Sequence, residues 1–278
     1  MIDAVVLDDA LHLLACPHCA GPLTRSGGSV ACPNGHAFDV ARSGYLSLLP
    51  GEAQVGSADT AEMVAARDAF LGAGHFEPLA ETLGEEAEGA GPPPGCVLDL
   101  GAGTGWYLAH VLDRLPDRLG LALDLSKHAL RRAARAHPHI AAVACDAWRP
   151  LPVRDSVAAL VLSVFAPRNG AEIVRVLRPG GALVVVTPTE RHLGELVETL
   201  GLLTVDERKE ERLGAALDPH LDLERRVERE WSLSLEPADL LNAVAMGPSA
   251  RHLTPEEPGG PTPVTASLAI STYRRGST

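Results

Sequence analysis

The segment Val97-Leu98-Asp99-Leu100-Gly101-Ala102-Gly103-Thr104-Gly105 restricts the chain more than any other. With Cys96 before it, Cys96-Val97-Leu98-Asp99-Leu100 is a run of five mostly apolar residues with one carboxylate and reads as a strand buried on both faces, which is a parallel-sheet strand. Three glycines at alternate positions follow it. Glycine lets the backbone turn sharply into a helix and come close to a ligand. The run Gly89-Ala90-Gly91-Pro92-Pro93-Pro94-Gly95 stops the preceding element and delivers the chain into this strand. The pattern departs from the GxGxxG dinucleotide fingerprint. It lacks the Gly-Lys-Ser/Thr of a triphosphate-binding loop, which disfavours nucleoside triphosphate hydrolysis.

Downstream, strands and helices alternate. A helix is expected at about 105–115, a strand at 119–123 and a helix at about 126–136. Apolar runs follow at 140–145, 157–164 and 182–187, with a helical stretch at about 170–177 before the last. This order predicts an α/β fold with a parallel sheet covered on both faces. The second strand ends at Asp124, where a carboxylate can accept both hydroxyls of a ribose. The third ends in Cys145-Asp146, which puts another carboxylate at the same edge, where it could face an adenine amino group. Together with Leu177-Arg178-Pro179-Gly180-Gly181, the set resembles the S-adenosylmethionine-dependent class I methyltransferases over about residues 95 to 190. That resemblance implies a Rossmann-like sheet. It also implies S-adenosylmethionine as cofactor, held around Asp99, Gly101, Gly103, Thr104, Gly105, Asp124 and Asp146.

Outside this stretch, residues 57 to 90 read as helical, with Ala61, Val64, Ala65, Asp68 and Leu71 at helical spacing and a second short helix from Glu77 to Ala87. His192 to Leu203 also reads as a helix. Glu230–Leu235 and Thr265–Ser271 alternate as antiparallel strands that would close the sheet edge, and Asp206 to Glu230 reads as a solvated charged stretch.

The N-terminal part carries a different signal. Cys16-Pro17-His18-Cys19 is followed by Cys32-Pro33-Asn34-Gly35-His36. Each close pair can bite a tetrahedral ion from a tight turn, and thiolates with an imidazole suit zinc. The glycines between them, Gly21 and Gly27-Gly28, fit a hairpin joining two knuckles. Four protein ligands, Cys16, Cys19, Cys32 and His36, leave no open position, so a structural zinc is expected. His18 is a competing ligand and a Cys16–Cys19 redox pair the rival reading, although a redox pair needs neither a third thiol nor a histidine at ligand spacing. Cys96 and Cys145 lie in apolar strands and read as core residues. Five cysteines make an unlikely disulfide framework and suit a reducing cytoplasm.

This combination resembles a narrower family, the bacterial 23S ribosomal RNA guanine-N1-methyltransferases, including the branch that confers macrolide resistance. The stretches Phe38–Leu49, Asp59–Arg67, Ala73–Leu79, Leu125-Ser126-Lys127, Phe165-Ala166-Pro167-Arg168-Asn169 and Thr187-Pro188 carry the resemblance. It covers residues 14 to about 217, with an echo at Ala245–Ser249. It implies zinc on the four ligands named above and cofactor contacts at Phe76, Gly103, Thr104 and His192. Many relatives carry tyrosine at the Phe76 position, so a phenol hydrogen bond is absent here. Read without the family, Phe76 is a core aromatic and His192 a surface residue at a helix start.

The resemblance implies transfer of methyl to guanine N1 in a 23S rRNA hairpin loop. The organisation expected is a zinc-binding recognition domain at 1–50, a helical connector at 51–90 and the methyltransferase domain at 91–278. The formal net charge of -12 argues against bulk-charge binding of nucleic acid. Local candidates for RNA are Arg42, Arg67, Arg131, Arg132, Arg135 and Arg168, with Trp106, Tyr107 or Phe165 as a stacking platform or as packing. No catalytic base is assigned. A small-molecule methyltransferase of antibiotic biosynthesis and an inactive zinc-bearing RNA-binding protein are the competing readings. A labelled-methyl assay on rRNA against metabolites separates the first, and loss of cofactor binding would favour the second. No run approaches the roughly 18 apolar residues of a membrane helix. The N-terminus does not read as a signal peptide, and a homodimer is left open.

Overall fold

The computed structural model describes residues 4–51, 56, 58–196, 214–247 and 259–276. The chain begins with helix α1 (Ala4–Ala10) and a short 3-10 turn over Leu11–Leu13. Strands β1 (Thr24–Ser26), β2 (Ser29–Ala31) and β3 (Ala37–Asp39) form a small antiparallel sheet. The two-residue Gly27-Gly28 turn sets the β1–β2 register, with Ser26 opposite Ser29. Strand β4 (Leu46–Ser47) then leaves this sheet and joins the main one, parallel to a strand formed much later.

Two helices, α2 (Ala61–Gly72) and α3 (Glu77–Gly89), follow. The Thr60 hydroxyl accepts the Met63 N–H and caps α2, and Pro78 sits in the first turn of α3, where no donor is lost. The alternating unit comes next: β5 (Cys96–Leu100), α4 (Trp106–Arg114), β6 (Gly120–Asp124), α5 (Lys127–Ala136), β7 (Ile140–Ala144), β8 (Ala158–Val164), α6 (Gly170–Val176) and β9 (Leu177–Pro188). Strand β10 (Asp222–Leu235), helix α7 (Pro237–Ala245) and strand β11 (Thr262–Arg274) complete the described chain.

The main sheet has eight strands in the order β10-β11-β9-β8-β5-β6-β7-β4. The six strands from β9 to β4 run parallel, and β11 and β10 close the β9 side as antiparallel strands. After β5 the chain moves outward through β6 and β7, then returns to the other side of β5 as β8. The strand order therefore reverses between β5 and β8, where open α/β sheets hold their ligands. Every residue of β5, β7 and β8 is buried, as strands covered on both faces require.

Successive side chains point to opposite faces. Leu98, Leu121, Val143 and Val161 pack on one face with Leu14, Leu23, Val30 and Phe38 of the N-terminal segment and Ile173 of α6. Val97, Ala122, Leu160 and Val184 pack on the other with Phe70, Leu83, Leu108, Leu130 and Leu240 of the helices. One buried cluster thus runs from the small sheet into the main one. The linker before β5 is held by Arg118, whose guanidinium donates to the carbonyls of Pro92, Pro93 and Gly95.

The expected strand at 182–187 begins earlier, at Leu177. Leu177 pairs with Ala158, and a bulge then restarts the pairing at Leu160 and Ala182, with Gly180 at φ +73. The two closing strands are also longer than the alternation at 230–235 and 265–271 indicates. Of the expected helix from His192, residues 189–193 form a turn and 194–196 are helical, and the remainder lies outside the described residues. No described helix is long and apolar enough to cross a membrane.

Candidate active site and metal centre

The four ligands expected from spacing converge. The side-chain donor atoms of Cys16, Cys19, Cys32 and His36 all lie within 4.8 Å of one another. A tetrahedral ion with Zn–S near 2.3 Å places two thiolates about 3.8 Å apart. Cys19 Sγ and Cys32 Sγ are 3.7 Å apart, and His36 Nδ1 lies 3.5 Å from Cys16 Sγ and 3.3 Å from Cys32 Sγ. The donor set and its spacing therefore fit zinc, with Nδ1 as the imidazole donor. Backbone turns hold the pairs: Cys16 N donates to Gly21 O, Ala20 N to Cys16 O and Cys32 N to His36 O. The Gly21 N–H and then the Asn34 side chain pull the Cys19 thiol down to about 6, which favours the thiolate a metal needs. His18 is not part of the cluster. Its ring lies 4.9 Å from that of His36 and stacks on Phe38 at 6.0 Å. Cys96 and Cys145 are buried, and burial pushes the Cys96 thiol up to about 12.

At the carboxyl edge of the main sheet, β5 ends in the glycine turn. Gly101 has φ +68, and a Cβ there would stand 2.7 Å from the Ala166 side chain, so only glycine fits. Gly105 caps α4 in the left-handed region, where a Cβ would crowd Ala133 of α5 at 3.0 Å. Asp124, at the end of β6, accepts the Gly103 N–H at 2.8 Å and the Ser126 N–H at 2.7 Å. Its carboxylate thus fixes the glycine turn to the neighbouring strand end. Burial raises its pKa, against the lowering effect of those two donors. Asp146 lies just past β7, accepts the Trp148 N–H at 2.9 Å and stands 3.8 Å from Arg149. Thr104 is buried.

Asp99 is 2% exposed, and its Oδ1 has no hydrogen-bond partner. A buried carboxylate oxygen in this condition fits a ligand that brings a donor to the turn. Burial, and then the charge of Asp124, holds the Asp99 carboxyl well above its ordinary value of 3.8. The sign of the pH effect follows. Below 3.8 both folded and unfolded chains keep the proton; above it the unfolded chain ionises first, so folding loses stability until the folded carboxyl also ionises. Asp99→Asn in cofactor-free protein is expected to melt above the parent, by a margin that widens as pH rises from about 4 to about 8. Calorimetric melting across that range measures it, and a margin that does not change with pH rejects it.

Phe76 and His192 are 116 positions apart in the chain, and the fold brings their rings to 6.1 Å. Phe76 is fully packed, edge-on to Phe70 at 5.3 Å and to Trp231 of β10 at 5.6 Å. The Trp231 indole N–H donates to His75 O, which ties β10 to the start of α3. His192 sits in the turn after β9, and its Nδ1 accepts the Ser267 N–H at 3.2 Å. Phe165, just after β8, stacks on the same imidazole at 6.3 Å. Trp106 and Tyr107 pack edge-on to each other at 4.9 Å at the start of α4, whereas Phe165 is 44% exposed.

Three contacts at this edge have no local sequence signal. Arg67 of α2 pairs with Asp59 and donates to Met246 O at 2.9 Å, with its guanidinium beside Gly103. The Ser126 hydroxyl donates to Asp59 O at 2.7 Å. They link α2 and α7 to the glycine turn. Arg132 pairs with Asp68 on the surface of α5.

A glycine turn at the switch point, carboxylates on successive strand ends and antiparallel closing strands define a class I S-adenosylmethionine-dependent methyltransferase. It is joined to a zinc ribbon. The family model described as "RlmA, N-terminal" matches residues 14–54, and that described as "Methyltransferase domain" matches residues 97–181. The chain is 50% identical over 252 residues to a 23S rRNA (guanine(748)-N(1))-methyltransferase of Streptomyces fradiae, covering 90% of this chain and 89% of the relative. It is 46% identical to a putative 23S rRNA (guanine-N(1)-)-methyltransferase of Micromonospora griseorubida, covering 96% and 98%. A solved structure titled for thioacetal formation in echinomycin biosynthesis shares the fold at a TM-score of 0.50 and 17% identity, over 72% of this chain and 82% of that one. The chain belongs to the 23S rRNA guanine-N1-methyltransferase family.

Proposed function

We propose that this enzyme methylates N1 of guanine 748 in a hairpin loop of 23S rRNA and thereby protects the ribosome from macrolides. One observation supports the choice of nucleotide: 50% identity across nine-tenths of the chain to a relative named for that guanine. The enzyme class does not depend on the choice. S-adenosylmethionine supplies an electrophilic methyl on a sulfonium, so the protein's main task is to align an in-line attack. In this reading Asp99, Gly101, Gly103, Thr104 and Gly105 hold the cofactor at the turn. Asp124 accepts its ribose hydroxyls and Asp146 faces its adenine. Phe76 and His192 wall the methyl-donating end. Zinc on Cys16, Cys19, Cys32 and His36 shapes residues 1–50 for RNA recognition, and the protein works in the cytoplasm with the ribosome. Guanine N1 carries a proton, so attack requires its loss or stabilisation of charge on O6. His192 Nδ1 already accepts a backbone N–H, so that nitrogen is not the base.

A methyl on N1 blocks base pairing. Primer extension on 23S rRNA from cells carrying the gene is therefore expected to stop next to position 748, with no stop in cells lacking it. A stop at a different guanine rejects the nucleotide. No stop anywhere returns the small-molecule reading.

A further inference from the structure

The turn after β8, Phe165-Ala166-Pro167-Arg168, carries two features that are unfavourable to the fold by themselves. Phe165 holds a bulky aromatic at φ +54, a region such residues rarely enter. The residue is 44% exposed, and its ring is nearly parallel to that of His192, with an interplanar angle of 20°. Such strain persists where the surroundings over-determine it and clusters at functional sites. Here Ala166 packs against Gly101, so the turn is pinned to the cofactor loop.

Arg168 is the second feature. Its Nε is buried and has no hydrogen-bond partner, and its hydrogen bond to Val186 O is long, at 3.4 Å. No described carboxylate pairs with it, in contrast to Arg67, Arg132 and Arg175. Burial weakens its hold on the proton, yet a guanidinium stays charged. Its neighbours, the Val186 carbonyl and Tyr273, are not carboxylates, so the desolvated charge is left without a counter-ion among the described residues, which is a cost to the fold.

We propose that this turn holds the target nucleotide, with the exposed Phe165 side chain stacked on the flipped guanine and the Arg168 guanidinium, which no described carboxylate neutralises, on a phosphate of the same strand. An aromatic face three residues from an uncompensated cation is the chemistry of a base and its phosphodiester. It also supplies a local cation on a chain whose formal net charge is -12. The inference rests on the rRNA reading above.

The test uses the full-length enzyme and an unmodified 23S rRNA fragment. Single-turnover methylation is followed against RNA and salt concentration, with S-adenosylmethionine affinity by calorimetry and melting temperature in parallel. Phe165→Leu is expected to lower kcat/KM for RNA roughly 10- to 100-fold, as loss of one base stack does, without changing the salt slope. Phe165→Tyr restores it. Arg168→Met is expected to lower kcat/KM and flatten the slope of its logarithm against log salt by about 0.7, the contribution of one phosphate contact on a single strand. Arg168→Lys, which keeps the charge, retains the slope. Arg168→Met is also expected to melt higher than the parent, because the desolvated charge is gone. That pairing of higher stability with lower RNA activity is one a purely structural arginine would not give. Cofactor affinity stays at the parental value in all four variants. Parental RNA kinetics in Phe165→Leu and Arg168→Met overturn the proposal, as does a lower melting temperature or weakened cofactor binding in Arg168→Met. A parent enzyme that transfers no methyl to the RNA overturns the rRNA reading, and this proposal with it.

Discussion

Cys32→Ala is expected to remove the metal and to destabilise far more than the ribbon that holds it. Cys32 supplies one of four donors, and its Sγ lies within 3.7 Å of two others. Three ligands leave zinc with an open position and much lower affinity. Structural zinc contributes on the order of 10 kcal/mol to the folding of small zinc domains, because the site does not exist in the unfolded chain. In this protein the loss does not stay local. Cys16, Cys32, Val30 and Phe38 belong to the same buried cluster as Leu98, Leu121 and Val161 of the main sheet. Metal analysis should find about one zinc per parent chain and nearly none in the variant. Melting should fall in the variant, and in the parent after chelation, with cofactor binding weakened in step. Unchanged melting after the metal has been removed would sink this account.

The second large effect is expected at Asp124. Asp124→Ala removes the acceptor for two backbone N–H groups, those of Gly103 and Ser126, and the carboxylate proposed for the ribose. Hydrogen bonds to a charged group contribute about 1.5–3 kcal/mol each, so affinity for S-adenosylmethionine should fall at least about 100-fold. Asp124→Asn keeps one carbonyl oxygen and should fall between the two. Asp146→Ala should lose about 10-fold, since its carboxylate holds no part of the glycine turn. Calorimetric titration with S-adenosylmethionine ranks the three. An Asp124→Ala protein that binds like the parent removes Asp124 from the cofactor site.

The parts of the fold that are readable from the sequence are those written in short local patterns. The five-residue run into Gly101, the carboxylates at or just past the ends of the next two strands and the paired knuckles need only a few adjacent residues. The partnership of Phe76 with His192 is different in kind. Neither residue differs locally from ordinary packing, and only the family resemblance connects them. The clasp of Arg67 on Asp59 and Met246, the left-handed turn at Phe165 and the half-buried Arg168 without a carboxylate partner carry no local pattern of their own. They arise where separate elements meet. The early start of β9 was hidden for a related reason: Arg178-Pro179-Gly180-Gly181 reads as a turn, and only the bulge against β8 lets Leu177 pair ahead of it.

Strand β10 occupies one rim of the eight-stranded sheet, and most of its side chains are exposed. Glu224, Arg225, Arg226, Glu228, Arg229 and Glu230 follow one another almost without interruption along it. An unpaired rim is a template for the strand of another molecule, and dense charge is how natural sheets repel that neighbour. The six are three glutamates and three arginines, so the rim is densely charged yet close to neutral, and its effect is local and separate from the acidic excess of the whole chain. Among the described residues no strand pairs with the outer edge of β10, and the charge along it raises the desolvation cost of adding one.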